Sequence, residues 1–273
     1  MEIDYSIQKK QAFRSESLAI YSLASDQRFS YSCYFPSYFS PANRPEILVV
    51  IHDNSRNFSD LLSGFSSYSE KNNMIIIAPI FPIGIGNDGF GVGFNYLAFD
   101  GIKYDEVLLD IIDEVSSLSG SLIVDFSIFG LFGGGQFVHR FLYFHGRRVK
   151  SAVIASPEYI SFLDNNTAKG LEATTIEYEV GKEIDFEGIK VPKILLLAGE
   201  YDDYEIPAPK NYAEKRCEEP QRKLVKKSIL MKLCADFRAD GISAEVIEVK
   251  HAFHDSGKMI ASAIDFFKVT DNN

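Results

Sequence analysis

Gly130-Leu131-Phe132-Gly133-Gly134-Gly135 crowds four glycines into one short turn between two stretches of different periodicity. Before it, Leu122 to Phe129 is an apolar run of strand length, and after it Gln136 to Tyr143 has helical character. A chain that leaves a buried strand and starts a helix at once has to turn sharply. Glycine supplies the backbone conformations and the close approach that such a turn demands. The turn therefore predicts a covered strand with a helix folded directly back over it.

The rest of the chain repeats this alternation. Glu46 to Ile51 and Met74 to Pro79 are continuous apolar runs, as in strands buried on both faces, and Val149 to Ala155, Pro192 to Ala198 and Ala244 to Val249 are further strands. Arg28 to Phe35 alternates aromatic with small or polar residues and predicts a strand with one solvated face. Helices are expected over Phe58 to Lys71, Tyr104 to Leu118, Gln221 to Asp240 and Ser256 to Phe267. In the second of these, Val107, Leu108, Ile111, Ile112 and Val115 form an apolar stripe. The fold class is α/β, with a mostly parallel central sheet and helices on both faces. Residues 28–273 form a single domain, and the polar, serine-rich residues 1–27 are an N-terminal arm or an early hairpin. Mixed periodicity over 156–188 marks a small cap or excursion. Phe81 to Phe94, punctuated by Gly84, Gly86, Gly89, Gly91 and Gly93, is expected to be a long mobile loop.

In such sheets ligands sit beyond the carboxyl ends of the strands. That rule directs attention to the breaks after Ile51, Phe129, Ala198 and Val249. Net charge is −10, which argues against nucleic acid and against an anionic membrane surface as partner. A small organic molecule is the partner expected; no oligomeric state can be read from the sequence. No apolar stretch reaches the roughly 18 residues of a membrane span. Cys33, Cys217 and Cys234 make no disulfide framework, and the first residues lack an apolar leader, so a cytoplasmic protein is expected. Cys33 reads as a small buried hydrophobe. Gly84 to Gly93 lacks the strand-loop-helix setting of a dinucleotide site, and no phosphate-binding lysine follows, so no cofactor is expected. His251, His254 and Asp255 lack a third ligand segment, so no metal is expected. His139 and His145 read as surface or packing groups, and the basic run from Arg222 to Lys232 as a solvated helix face.

Four segments carry a family resemblance from roughly Arg28 to Phe267. Val50-Ile51-His52-Asp53-Asn54-Ser55-Arg56-Asn57 resembles the V-x-H-G-x-x-R-N oxyanion loop of the α/β-hydrolase fold, in its esterase and polyhydroxyalkanoate-depolymerase-like members. Phe129 to Phe141 resembles the family's nucleophile elbow, G-x-S-G-G-G-Q-F-x-x-R-F. Leu195 to Asp202 resembles its acid strand, L-L-x-x-G-E-x-D, and Val249 to Met259 its histidine loop. The resemblance implies Asp202 as acid and His254 as base, with Asp203 and His251 as competitors. It places Asp53, Asn54 and Gly133 in the oxyanion-hole region and His52, Arg56 and Phe132 at the pocket.

Two departures shape the functional expectation. Phe132 stands where the family has its serine, and a phenyl ring cannot form an acyl-enzyme. Asp53 stands where the family has glycine, and its carboxylate would oppose a developing oxyanion if it turned inward. The leading expectation is a non-hydrolytic enzyme, a lyase, isomerase, cyclase or hydratase, in which His254 and Asp202 move a proton. The alternative is an inactive pseudo-hydrolase that binds a small molecule or a protein. A third is a residual ester hydrolase using activated water or a displaced nucleophile, Ser55 or Ser156.

Overall fold

The computed structural model describes residues 19–39, 45–163, 171–202, 226–253 and 255–271. Among these, ten strands appear in chain order: β1 (Ile20–Ser22), β2 (Ser30–Tyr34), β3 (Glu46–Ile51), β4 (Met74–Ile80), β5 (Ala98–Phe99), β6 (Ile102–Lys103), β7 (Phe126–Leu131), β8 (Val149–Ala155), β9 (Lys193–Gly199) and β10 (Ala244–Val249). The helices are α1 (Phe58–Asn72), α2 (Tyr104–Ser119), α3 (Gly133–His145), α4 (Leu171–Val180), α5 (Lys226–Ala239) and α6 (Ser256–Asp271). Eight strands form one sheet in the order β1-β2-β4-β3-β7-β8-β9-β10. From β4 to β10 every pairing is parallel, and β2 is antiparallel to both β1 and β4.

Successive strand residues point to opposite faces, so each central strand feeds two cores. Val49, Ile77, Ile128, Ile154 and Leu196 join α2, α3 and α5 on one face. Leu48, Val50, Ile76, Phe129, Val153 and Leu197 join α1 and α6 on the other. Local chemistry sets the helix ends. Asp105 and Glu106 lie in the first turn of α2, where negative charge is favoured, and Gly120 closes that helix in the left-handed region. Asp255 caps α6, accepting the Lys258 amide at 3.0 Å.

Three expectations need correction. The strand expected over Leu122 to Phe129 begins only at Phe126 and runs to Leu131. Leu122 and Val124 are exposed, because the preceding segment is tied to α2 instead of a strand: Ser116 Oγ donates to Ser121 O and accepts from the Ile123 amide. β2 has no solvated face, since Tyr31, Ser32 and Cys33 are all buried between the two layers. The glycine loop is braced. The Arg56 guanidinium donates to the carbonyls of Phe81, Asn54 and Gly91, and buried Asp88 accepts the amides of Val92 and Gly93. The loop then ends in a short 3-10 turn, Gly93–Tyr96. Of 156–188, residues 164–170 lie outside the described set, and the remainder includes α4.

Consecutive strands β3 and β4 lie side by side, yet β7 sits on the opposite flank of β3. The order reverses there, and a crevice at the carboxyl ends of β3 and β7 is the usual place for a ligand. The loop after β3 and the turn after β7 therefore become neighbours.

Candidate functional site

Phe132 occupies the turn between β7 and α3 with φ 50° and ψ −110°. A bulky residue at positive φ is strained, and it persists only where its surroundings over-determine it. Here they do. The Phe132 amide donates to Ala155 O at 2.9 Å, and its carbonyl accepts from the Gln136 amide at 3.0 Å. The glycines around it have no room for a side chain. A Cβ on Gly130 would lie 2.1 Å from Gly134 O, and one on Gly134 would lie 2.3 Å from Ile51 O and 2.5 Å from His52 O. The Phe132 ring is buried, 7% exposed, in the cluster that contains Leu131, Leu197, Val249 and Ala252.

The loop after β3 divides its residues between bracing and the site. His52 is fully buried between the rings of Phe81 and Phe94. Its Nε2 accepts the Phe81 amide at 3.0 Å, so the proton resides on Nδ1, which donates to Asp53 O at 2.7 Å. Burial pushes its pKa down to about 4. His52 and Arg56, expected at the pocket, tie the loops together. Asp53, expected in the oxyanion-hole region, directs its carboxylate elsewhere than Gly133. Its carboxylate closes a turn on Ser55, accepting the amide at 2.8 Å and the hydroxyl at 2.6 Å. Ser55, one candidate nucleophile, is thereby engaged.

Asn54 does reach the elbow: its Oδ1 lies 2.5 Å from where a Cβ on Gly133 would stand. Its Nδ2 donates to Glu158 Oε1 at 2.7 Å. Asn95 joins this cluster, its Nδ2 facing Asn54 Oδ1 at 3.2 Å and Glu158 Oε2 at 3.4 Å. Behind it, Arg140 of α3 donates to Asn95 O at 3.3 Å and to Ser161 Oγ, with its guanidinium over the Tyr96 ring. Neither Asn95 nor Glu158 was singled out from the sequence, where no local pattern marks them.

Asp202 lies just beyond β9 and is buried. Its Oδ2 accepts the Gly199 amide at 2.9 Å and also the Ser156 hydroxyl. Ser156 is itself buried at the end of β8, with φ 43°. The other candidate nucleophile thus faces the Asp202 carboxylate directly. His254 and Asp203 lie outside the described residues. Glu200 N donates to Val249 O and Tyr201 N to Ala252 O, joining the loops after β9 and β10. His251 is mostly exposed, with its amide on Glu200 and its Nδ1 3.3 Å from Tyr201 OH.

The remaining histidines have other settings. His139 is buried, its ring on Tyr143 OH at 2.6 Å, and burial pushes its pKa down to about 3. His145 pairs with buried Asp105, which also holds Lys182. Cys33 is buried. Among the described residues no group of three His, Cys, Asp or Glu is placed to hold a metal ion, and no helix is long and apolar enough to cross a membrane.

No family model and no curated protein matches the sequence. Solved structures do. The poly(3-hydroxybutyrate) depolymerase LpqC from Bordetella parapertussis is 19% identical with a TM-score of 0.65, over 90% of this chain and 84% of its own. Poly(aspartic acid) hydrolase-1 from Sphingomonas sp. KT-1 is 17% identical with a TM-score of 0.64, over 87% of this chain and 92% of its own. An S-formylglutathione hydrolase from Agrobacterium tumefaciens is 13% identical with a TM-score of 0.64, over 93% of both chains. These similarities establish the architecture: the chain has the α/β-hydrolase fold.

Proposed function

We propose that this protein holds a small organic molecule at the carboxyl edge of its sheet and does not form an acyl-enzyme. The observation that carries the reading is Phe132, with a buried ring, in the strained turn between β7 and α3. A hydrolase of this fold presents its serine on such a turn. A phenyl ring offers no lone pair for attack, and loss of the nucleophile costs on the order of a millionfold in a serine protease. The surroundings of Gly133 support the same reading. Ester hydrolysis needs donors aimed at the developing oxyanion. Here the carboxamide oxygen of Asn54 lies over Gly133, with the Glu158 carboxylate hydrogen-bonded to the same side chain. The net charge of −10 keeps nucleic acid an unsuitable partner.

A second reading keeps general acid–base chemistry, with Asp202 positioning His254. It is favoured by one observation, the burial of the Asp202 carboxylate on the Gly199 amide at the end of β9. A carboxylate so fixed could orient an imidazole and stabilise its protonated form.

The test is hydrolysis of p-nitrophenyl acetate by the wild type, by Phe132→Ser and by Asp202→Asn. The wild type should match the buffer control. Phe132→Ser should gain little, because the groups over Gly133 still disfavour an oxyanion. A wild-type rate well above buffer that is abolished by Asp202→Asn would overturn the binding reading and favour a working catalytic centre.

A further inference from the structure

We propose that the segment 157–163 is a strap over the turn at Phe132, keyed to α3 by Ser161, and that it lifts together with the 3-10 turn Gly93–Tyr96 to uncover Gly133. This rests on the reading of the carboxyl edge as the place where a molecule binds.

Gly133 is not open in the structure. Gly133, Gln136 and Arg140 follow one another at spacings of three and four residues, so they share one face of α3, and all three are buried. The carboxamides of Asn54 and Asn95 stand against Gly133, and both are hydrogen-bonded to Glu158 of the strap. Asn95 is itself only 1% exposed. A ligand reaches Gly133 only after this cover moves.

The ties of the strap show how it moves. It carries no helix or strand. Its near end is fixed to the sheet: Ser156, at φ 43°, donates its amide to Leu197 O at 2.8 Å and its hydroxyl to Asp202. Further along, Ser161 is buried against α3. Its Oγ accepts from Arg140 Nε at 3.2 Å and Nη2 at 3.1 Å, and its carbonyl accepts from Tyr143 OH at 2.6 Å. The same guanidinium donates from Nη1 to Asn95 O at 3.3 Å and lies over the Tyr96 ring. One arginine therefore holds the strap and the 3-10 turn at once. Asn95 Nδ2 also joins Glu158 Oε2 directly at 3.4 Å. Hydrogen bonds from a charged donor are stronger than neutral ones, so losing the Ser161 end of this shared tie loosens both segments.

The covered arrangement is unfavourable beneath the strap. Asn95 Oδ1 and both polar atoms of the Gln136 carboxamide are buried with no hydrogen-bond partner among the described residues. Native interiors leave few such atoms. Lifting the cover lets water meet them, which offsets part of what the broken ties cost. Segments that open to admit a ligand are drawn from such low-stability parts of a fold.

The experiment is amide exchange followed by NMR in the ligand-free full chain, as wild type, Ser161→Ala and Tyr143→Phe. Each variant removes one hold on Ser161, and each spectrum reports whether that variant is folded. In the wild type the amides of 158–163, Asn95, Leu97 and Gly133 should exchange through one opening, faster than those of Phe129 in β7 and Ile154 in β8. Ser161→Ala should accelerate the whole first group by a common factor of at least tenfold and leave Phe129 and Ile154 unchanged; Tyr143→Phe should act in the same direction. Acceleration confined to 158–163 would overturn the proposal, because Gly133 would stay covered while the strap moves. Equal acceleration at Phe129 and Ile154 would also overturn it, since the strap would then leave only when the sheet unfolds. So would unchanged exchange in both variants. Exchange needs no ligand, so a failure of the strap leaves the binding reading standing, and a failure of that reading shows instead in the hydrolysis of p-nitrophenyl acetate.

Discussion

Replacing Phe132 by alanine and by glycine separates the two forces acting on that residue. Phe132 is 7% exposed and belongs to the buried cluster that contains Leu131, Leu197, Val249 and Ala252. Removing a buried phenyl to a methyl costs about 3–5 kcal/mol. The backbone sits at φ 50°, where a side chain costs about 1–2 kcal/mol that glycine does not incur. Against this, glycine gives the unfolded chain more freedom, worth about 0.4–1 kcal/mol. The balance leaves Phe132→Gly more stable than Phe132→Ala by roughly 1 kcal/mol, although glycine removes the larger group. At an ordinary helical or extended position the order is the opposite. Guanidinium unfolding of the three proteins, compared at equal m values, reads the differences from the shift in midpoint. The expected order of stability is phenylalanine, glycine, alanine. Alanine at or above glycine would refute the claim that the turn is strained, and a total cost to alanine below about 1 kcal/mol would refute the packing claim.

The close approach behind the turn gives a paired test. Gly134→Ala would push a methyl against two backbone oxygens, and should destabilise by about 3 kcal/mol or more, while Gly89→Ala, with nothing within 4 Å, should stay within about 0.5 kcal/mol in the same unfolding assay. Acid should weaken the fold through its buried histidines. The His52 pKa is pushed down to about 4 by burial, below the roughly 6.5 of an exposed imidazole, so the unfolded chain takes up the proton first. Its contribution is complete above about pH 6.5 and is lost as pH falls toward 4, by about 3 kcal/mol. Unfolding free energies measured at pH 7.5, 6 and 5 should decline in that order, more steeply than in His52→Gln, and parallel profiles for the two proteins would refute the assignment.

Much of the fold was legible because the central strands are apolar on both faces and their boundaries are polar. Glu46–Ile51 starts and stops where its apolar run does. Leu122 to Asp125 defeated the same reasoning because composition alone does not say which neighbour a segment finds, and Ser116 captured it. At the site, the turn around Phe132 and the loop after β3 were visible from glycines and broken periodicity. The partners across the site were not. Asn95 is 41 residues from Asn54, and Glu158 is 104, so nothing local to either marks the contact. His52 shows the converse. Its position in the motif pointed to the pocket, but Phe81 and Phe94, brought in from the next loop, enclose it.

The strained turn at Phe132 has a structural cause. The backbone of α3 approaches the carbonyls of Ile51 and His52 through Gly134, and that of Ala155 through Gly135. The Phe132 amide is tied to the Ala155 carbonyl. These contacts bring the helix down onto β3 and β8, and they fix φ and ψ at residue 132 whatever side chain it carries. The strain then belongs to the seating of the helix, and its cost is offset by the helix–sheet core that the approach permits. The turn itself carries a phenyl ring, and around Gly133 the side chains of Asn54 and Asn95 turn oxygens toward the elbow. Packing therefore sets the geometry of the turn, and the side chains that face Gly133 set the chemistry around it.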